Sequence, residues 1–191
     1  MRIITGKAKG IALKTLAGDN TRPTAERVKE AVFSMLQFDI EDRTVLDLFS
    51  GSGQMGLEAL SRGASHATMV DKSKDAIKII EENAKKARLL DCADIFQSDY
   101  LDFIKRNIGK KFDIIILDPP YAKGFYIPAL RTMLNCNMIK QSSIIVCESG
   151  AEEIFENDKE LASKFSILKQ TKYASTYITL LKLVDEDENE Q

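Results

Sequence analysis

A chain of 191 residues, 44% hydrophobic and 29% charged, is long enough to bury roughly 70% of the surface its unfolded form exposes, so one globular core is expected. No apolar run approaches the ~20 residues that span a bilayer, and the opening MRIITGKAKGIALK lacks the apolar stretch of a secretory signal; membrane and secreted classes are set aside and the cytoplasm is expected. The net charge of −2 hides an asymmetry, because residues 1–35 hold seven Lys/Arg against three Asp/Glu while Asp185–Gln191 holds five acids and no base. A basic front able to contact phosphates therefore stands opposite an acidic tail expected to be disordered.

In chain order, Arg2–Thr5 and Ile11–Leu16 flank a Gly/Lys-rich turn, which reads as a small hairpin extension over residues 1–20, appended to a main domain over 21–184 and followed by the tail, 185–191. The Arg22-Pro23-Thr24 turn starts an amphipathic helix running from Ala25 to about Phe38. From Arg43 onward, short Ile/Val/Leu-rich runs alternate with segments of helical period, the pattern of a parallel sheet covered by helices. Strands are expected near 44–48, 67–71, 92–97, 112–117 and 143–148, with helices near 53–62, 74–89, 98–108 and 125–136. Phe112–Leu117 is nearly all apolar, as a central strand buried on both faces requires, and Pro119 ends its ladder. Two β-rich runs within Phe165–Leu183 are expected to add an antiparallel pair at one edge. Cys92, Cys136 and Cys147 show no C-x-x-C pair and His66 is the single histidine, so buried thiols, a structural His66 and no metal are expected.

The run Asp47-Leu48-Phe49-Ser50-Gly51-Ser52-Gly53-Gln54-Met55-Gly56 passes from a strand through a glycine turn into a helix and matches G-x-G-x-x-G. Asp71 falls 20 residues after Gly51, at the end of the next strand, where a carboxylate can accept both hydroxyls of a ribose. These features suit NAD as well as S-adenosylmethionine. Asp47 favours the second, because an acid just before the turn repels a pyrophosphate and attracts the ammonium of a methionine moiety. Phe49, Ser50, Ser52, Gly53 and Lys72 are the flanking candidates for cofactor contact. Asp99 and Tyr100 follow the third strand at the same sheet edge; Asp99 can accept from an adenine amino group with Tyr100 against the ring, or can cap a helix.

Asp118-Pro119-Pro120-Tyr121 after the fourth strand is the most specific element. An exocyclic base nitrogen is a poor nucleophile because its lone pair is delocalised into the ring. A carboxylate and a backbone carbonyl placed around its hydrogens favour a pyramidal nitrogen with the lone pair directed outward. Asp118 and the Pro119 carbonyl suit this role, since consecutive prolines restrict the backbone that aims the carbonyl. Tyr121 offers an aromatic face to the base, worth about 1–3 kcal/mol. Methyl transfer to a base amino group follows, with guanine N2 and adenine N6 both open; a non-catalytic assembly factor that keeps the fold is a third reading.

On these residues the chain resembles the RsmD-type 16S ribosomal RNA guanine-N2 methyltransferases. The resemblance rests on Met1–Gly6 with Lys9-Gly10, Arg22-Pro23-Thr24, Arg27–Phe33, Leu46–Gly53, Gly56–Ala64 and Asp118–Tyr121. It implies a Rossmann-like, seven-stranded class I S-adenosylmethionine methyltransferase fold and N2 methylation of one guanine in partly assembled small subunits; independently of it, a monomer is the default expectation. By similarity Arg22, Thr24 and Arg27 lie near the cofactor and target nucleotide, while a basic hairpin carrying Lys7, Lys9 and Lys14 grips RNA phosphates. In two places the chain departs from the family pattern: Asp71 stands for the usual glutamate, and Tyr173-Ala174-Ser175-Thr176 for the usual Tyr-Gly-x-Thr.

Overall fold

The computed structural model describes residues 1–16, 23–120, 124–155 and 158–185, with the side chains of residues 23–25 left aside. Strands β1 (Thr44–Asp47), β2 (His66–Asp71), β3 (Ala93–Gln97), β4 (Phe112–Leu117), β5 (Ile139–Ser149), β6 (Phe165–Tyr173) and β7 (Thr176–Leu183) form one sheet of order β3-β2-β1-β4-β5-β7-β6. The pairs from β3 through β5 are parallel, and β7 runs antiparallel to both of its neighbours.

Alternation along β4 divides the core. Ile114 and Ile116 join a cluster with helices α1 (Pro23–Met35), α2 (Gln54–Ser61) and α3 (Lys74–Ala87), whereas Ile115 and Leu117 join a second cluster with α4 (Tyr100–Arg106), α5 (Tyr126–Asn135) and α6 (Lys159–Ala162). A strand buried on both faces needs no polar alternation, which accounts for the apolar run. The turn after β2 starts α3 because the Ser73 hydroxyl accepts the Ala76 N–H at 3.3 Å, and Arg88 closes that helix in the left-handed region at φ 58°.

Two expectations change. The last parallel strand begins at Ile139 rather than 143, because Phe112 pairs with Ile139 before the register shifts; the polar Lys140–Ser143 stretch hides this pairing from a reading of apolar runs. At the amino terminus the expected hairpin is short: Arg2 bridges Ala12, with the Ile3 N–H donating to the Ile11 carbonyl at 3.0 Å, the Gly10 N–H to that of Ile3 at 2.8 Å and the Leu13 N–H to that of Met1 at 2.9 Å. Helix α2 holds the rest of the segment. Its buried Glu58 carboxylate accepts the N–H groups of Ile4 at 2.7 Å and Thr5 at 3.0 Å, and Ser61 takes those of Lys7 and Ala8. Ile3, Ala8 and Leu13 pack into the first core cluster. The segment is a fitted arm rather than an appendage.

At the amino edge of the sheet Asp113 of β4 ties itself to β1 and β5. It accepts from the Thr44 N–H at 2.9 Å, the Thr44 hydroxyl at 2.7 Å and the Lys140 ammonium at 2.6 Å. Burial works to raise its carboxyl, but these donors outweigh it and hold the group down at about 2.

Candidate active site

The glycine turn begins where β1 ends. The Ser50 hydroxyl donates to the Asp47 carbonyl at 2.8 Å and accepts the Val70 N–H at 3.0 Å, which stitches the turn to β2. Gly51 and Gly53 stand at φ 53° and 78°, in the left-handed region that glycine enters without steric cost. Their roles differ. A Cβ at Gly53 would lie 3.1 Å from the Ile80 side chain and one at Gly56 2.7 Å from Met69, so Gly53 lets the turn pack on α3 and Gly56 lets α2 pack on β2. A Cβ at Gly51 would meet nothing within 4 Å; it faces open space in the cleft described below. The Gly51 N–H donates to Asp71 Oδ2 at 2.9 Å and the Ser73 N–H to Oδ1 at 2.8 Å, which fixes the Asp71 carboxylate at the end of β2. Each of its oxygens keeps a second lone pair for another donor.

Asp47 is buried beneath this turn. One oxygen accepts the Gly56 N–H at 3.1 Å; the other has no hydrogen-bond partner among the described residues. Burial pushes the carboxyl up to about 7, against the pull of the Gly56 N–H and with help from the charge of Asp71.

An open cleft of about 820 Å³ follows the carboxyl edge of the sheet. Of the residues expected in the site, Phe49, Ser50, Gly51, Ser52, Asp71, Lys72, Asp99, Tyr100, Asp118, Pro119 and Pro120 all line it. Strands β1, β2, β3 and β4 deliver them to one edge, as the parallel order requires. Asp47 and Gly53 are not on its wall but directly behind it. Asp99 both lines the cleft and caps α4, its Oδ1 accepting the Leu101 N–H at 2.9 Å. Lys7, Lys9 and Arg27 are exposed and lie off the wall, while the Lys14 ammonium is engaged by Glu82 at the surface. Arg22, Tyr121 and the Thr24 side chain fall outside the described residues, as do residues 186–191 of the acidic tail.

Several lining residues escaped the sequence reading. Phe125 joins Phe49 and Tyr100 in an aromatic trio, with ring centroids 5.1 Å apart for Phe49 and Tyr100 and 5.7 Å for each pair that includes Phe125. Its place four residues after the D-P-P-Y run, beyond Gly124, was the available signal. Glu148 from the end of β5, Lys29 from α1, and the turn Ala174–Thr176 between β6 and β7 complete the wall. Lys29 is almost fully buried and donates to the Arg2 carbonyl at 2.6 Å beside Glu58, and burial pulls its ammonium below the ordinary value. Ala174 holds φ 54°, so the turn keeps the left-handed conformation that the family's glycine suits, with a methyl group added.

The residues present fit a cofactor that combines a cation with an adenosine. A buried carboxylate with an unsatisfied oxygen favours an ammonium and disfavours a pyrophosphate. A second carboxylate sits one strand away for ribose hydroxyls, and an aromatic wall stands beyond it for a flat ring. Sheet order, antiparallel β7 and this cleft together define a class I S-adenosylmethionine-dependent methyltransferase.

The chain matches the family described as conserved hypothetical protein 95 over residues 1–182. A Bacillus subtilis protein, YlbH, is 40% identical over 157 residues, 80% of this chain and 84% of that one. The Ribosomal RNA small subunit methyltransferase D of Haemophilus influenzae is 32% identical and covers 89% of this chain and 87% of its own length. A solved Escherichia coli structure, yhhF, superposes with a TM-score of 0.84 at 26% identity, over 97% of this chain and 99% of that chain. This chain belongs to the conserved hypothetical protein 95 family, that of ribosomal RNA small subunit methyltransferase D.

Proposed function

We propose that this protein methylates the exocyclic N2 of one guanine in small-subunit ribosomal RNA. The observation that carries the reading is the convergence of Asp118-Pro119-Pro120 with the glycine loop and the aromatic trio on one cleft. The names of its relatives, ribosomal RNA small subunit methyltransferase D, support the RNA class.

S-adenosylmethionine supplies the methyl group as an electrophile. Asp47 receives the cationic amino end, Asp71 accepts the ribose hydroxyls, and Phe49, Tyr100 and Phe125 offer apolar faces to the adenine and the target base. Asp118 and the Pro119 carbonyl accept the two amino hydrogens of the base and direct its lone pair toward the methyl carbon. In the transfer the nitrogen would take the methyl group as the methyl–sulfur bond broke and S-adenosylhomocysteine left as a neutral thioether; the nitrogen would become cationic, so a carboxylate beside it would stabilise the transition state more than the ground state. The amine turns acidic only then, and its proton leaves through Asp118 to water. Lys7, Lys9 and Arg27 hold RNA phosphates outside the cleft and give position rather than chemistry.

The test offers labelled cofactor with small subunits from a strain lacking this protein, protein-free ribosomal RNA and duplex DNA, followed by nucleoside analysis. Label is expected as N2-methylguanosine from the small subunits. Label only in N6-methyladenine overturns the guanine assignment, and no transfer to any RNA overturns the reading as a whole.

A further inference from the structure

Asn83, in the middle of α3, has a fully buried side chain. Its carboxamide nitrogen donates to the Lys14 carbonyl at 3.0 Å and to the Ser52 carbonyl at 2.9 Å, and its oxygen accepts the Lys14 N–H at 2.8 Å. Both donors and the acceptor are thereby used. One group thus joins two segments far apart in sequence: the arm, immediately before Thr15 and Leu16, and the glycine loop at Ser52. Thr15, Leu16 and Ser52 all line the cleft. The mechanism described above makes no use of Asn83.

We propose that Asn83 is a positioning residue that couples the arm to the cofactor loop, so that filling the cleft stiffens the arm before RNA meets it. The coupling itself is a property of the fold; its consequence for RNA rests on the reading of the arm as a phosphate contact. Displacing the loop without the arm breaks at least one of these bonds and leaves a buried carbonyl or N–H unpaired, so the segments move together. A ligand that restrains Ser52 therefore raises the cost of lifting Lys14 from α3. By reciprocity, RNA that holds the arm tightens the cofactor by the same factor.

Residue-resolved amide exchange by NMR, with and without saturating S-adenosylhomocysteine, tests the link without any RNA. In the parent the ligand is expected to slow exchange at Leu13 and Lys14 by about tenfold. In Asn83→Ala and Asn83→Ser the slowing at Leu13, whose own bond to the Met1 carbonyl at 2.9 Å is untouched, is expected to fall below about twofold while the ligand still binds. Slowing confined to Thr15 and Leu16 in the parent means direct cover by the ligand and overturns the proposal, even where the variants fail to fold. Undiminished slowing at Leu13 in a folded variant does the same. The RNA consequence is measured separately: Lys7→Gln with Lys9→Gln should flatten the salt dependence of RNA binding by about 0.7–0.9 in log–log slope per lost phosphate contact. An unchanged slope with slowed Leu13 and Lys14 removes the RNA reading and leaves the coupling in place.

Discussion

Strand β1 meets two acidic residues, one near each end. At its start the Asp113 carboxylate faces the Thr44 N–H, the Thr44 hydroxyl and the Lys140 ammonium, and its proton affinity falls. At its finish Asp47 faces a single N–H, leaves one oxygen without a partner among the described residues, and its proton affinity rises. The first acid is spent on holding strands together. The second leaves one oxygen unsatisfied, at a cost in stability that the rest of the fold absorbs, and on the proposed reading that oxygen serves a ligand.

The sharpest way to break this contrast is at the reaction itself. Asp118→Asn keeps the shape of the carboxylate but loses its charge and turns a donor toward the base amino group. Its kcat is expected to fall by about 10²–10⁴-fold, with cofactor affinity within a few-fold of the parent. Single-turnover methyl transfer checks this; a rate above about a tenth of the parental one removes the assigned role.

Asp47→Asn comes next and acts in opposite directions on stability and binding. The folded carboxyl, at about 7, lies above its ordinary value of 3.8, so between those values the native state holds more protons than the unfolded one. Stability of the cofactor-free parent then falls as pH rises from about 4 to about 7 and levels above that. The variant, with no proton to lose, should exceed the parent by roughly 2–4 kcal/mol at pH 8 and by about a third of that at pH 5, while binding S-adenosylmethionine more weakly. Denaturant melts at both pH values, paired with calorimetry, measure it.

Asp113→Asn is the mirror case. The folded value, about 2, lies below the ordinary 3.8, so its stabilisation is present above about pH 4 and disappears as pH falls through 2. The variant should lose about 2 kcal/mol at pH 7, lose less than the parent on acidification, and bind cofactor as before. A loss of cofactor affinity here would dissolve the distinction between the two edges. The smallest effect belongs to the cleft turn. Ala174 at φ 54° carries a left-handed cost of about 1–2 kcal/mol that glycine avoids, partly offset by the entropy of a freer unfolded chain. Ala174→Gly should therefore stabilise by about 0.5–1 kcal/mol, read from the denaturation midpoint.

The carboxyl-edge site was legible because its chemistry is local. The glycine turn, the acid at the end of β2 and the D-P-P-Y run each declare themselves within a few residues, and parallel topology then brings strand ends to one edge. Contacts across long stretches of sequence left no such trace. Glu58 and Asn83 sit in helices whose period marks them only as buried, yet one receives the arm's N–H groups and the other ties the arm to the glycine loop. The docking of the hairpin on α2 was hidden for that reason, since nothing in residues 1–16 shows that a carboxylate 54 residues from Ile4 will take its donor. The early start of β5 was hidden because the polar Lys140–Ser143 stretch separates the Phe112–Ile139 pair from the apolar run that resumes the ladder at Ile144. Asp99 illustrates the intermediate case: a helix cap and a cleft residue are the same side chain, so both readings of the sequence describe it.

The cleft draws on Met1 at one extreme and on Thr176 at the other, with consequences for how the protein matures on the ribosome. The arm is synthesised first, and its partners on α1, α2 and α3 emerge only after it. The β6–β7 turn arrives last and closes the wall. Such late, non-local closure is slow compared with helix formation, and a chain stopped short of β7 has a strand missing beside β5 and an incomplete cleft. A ligand in the cleft adds stability by mass action only to chains in which both the arm and the β6–β7 turn are in place.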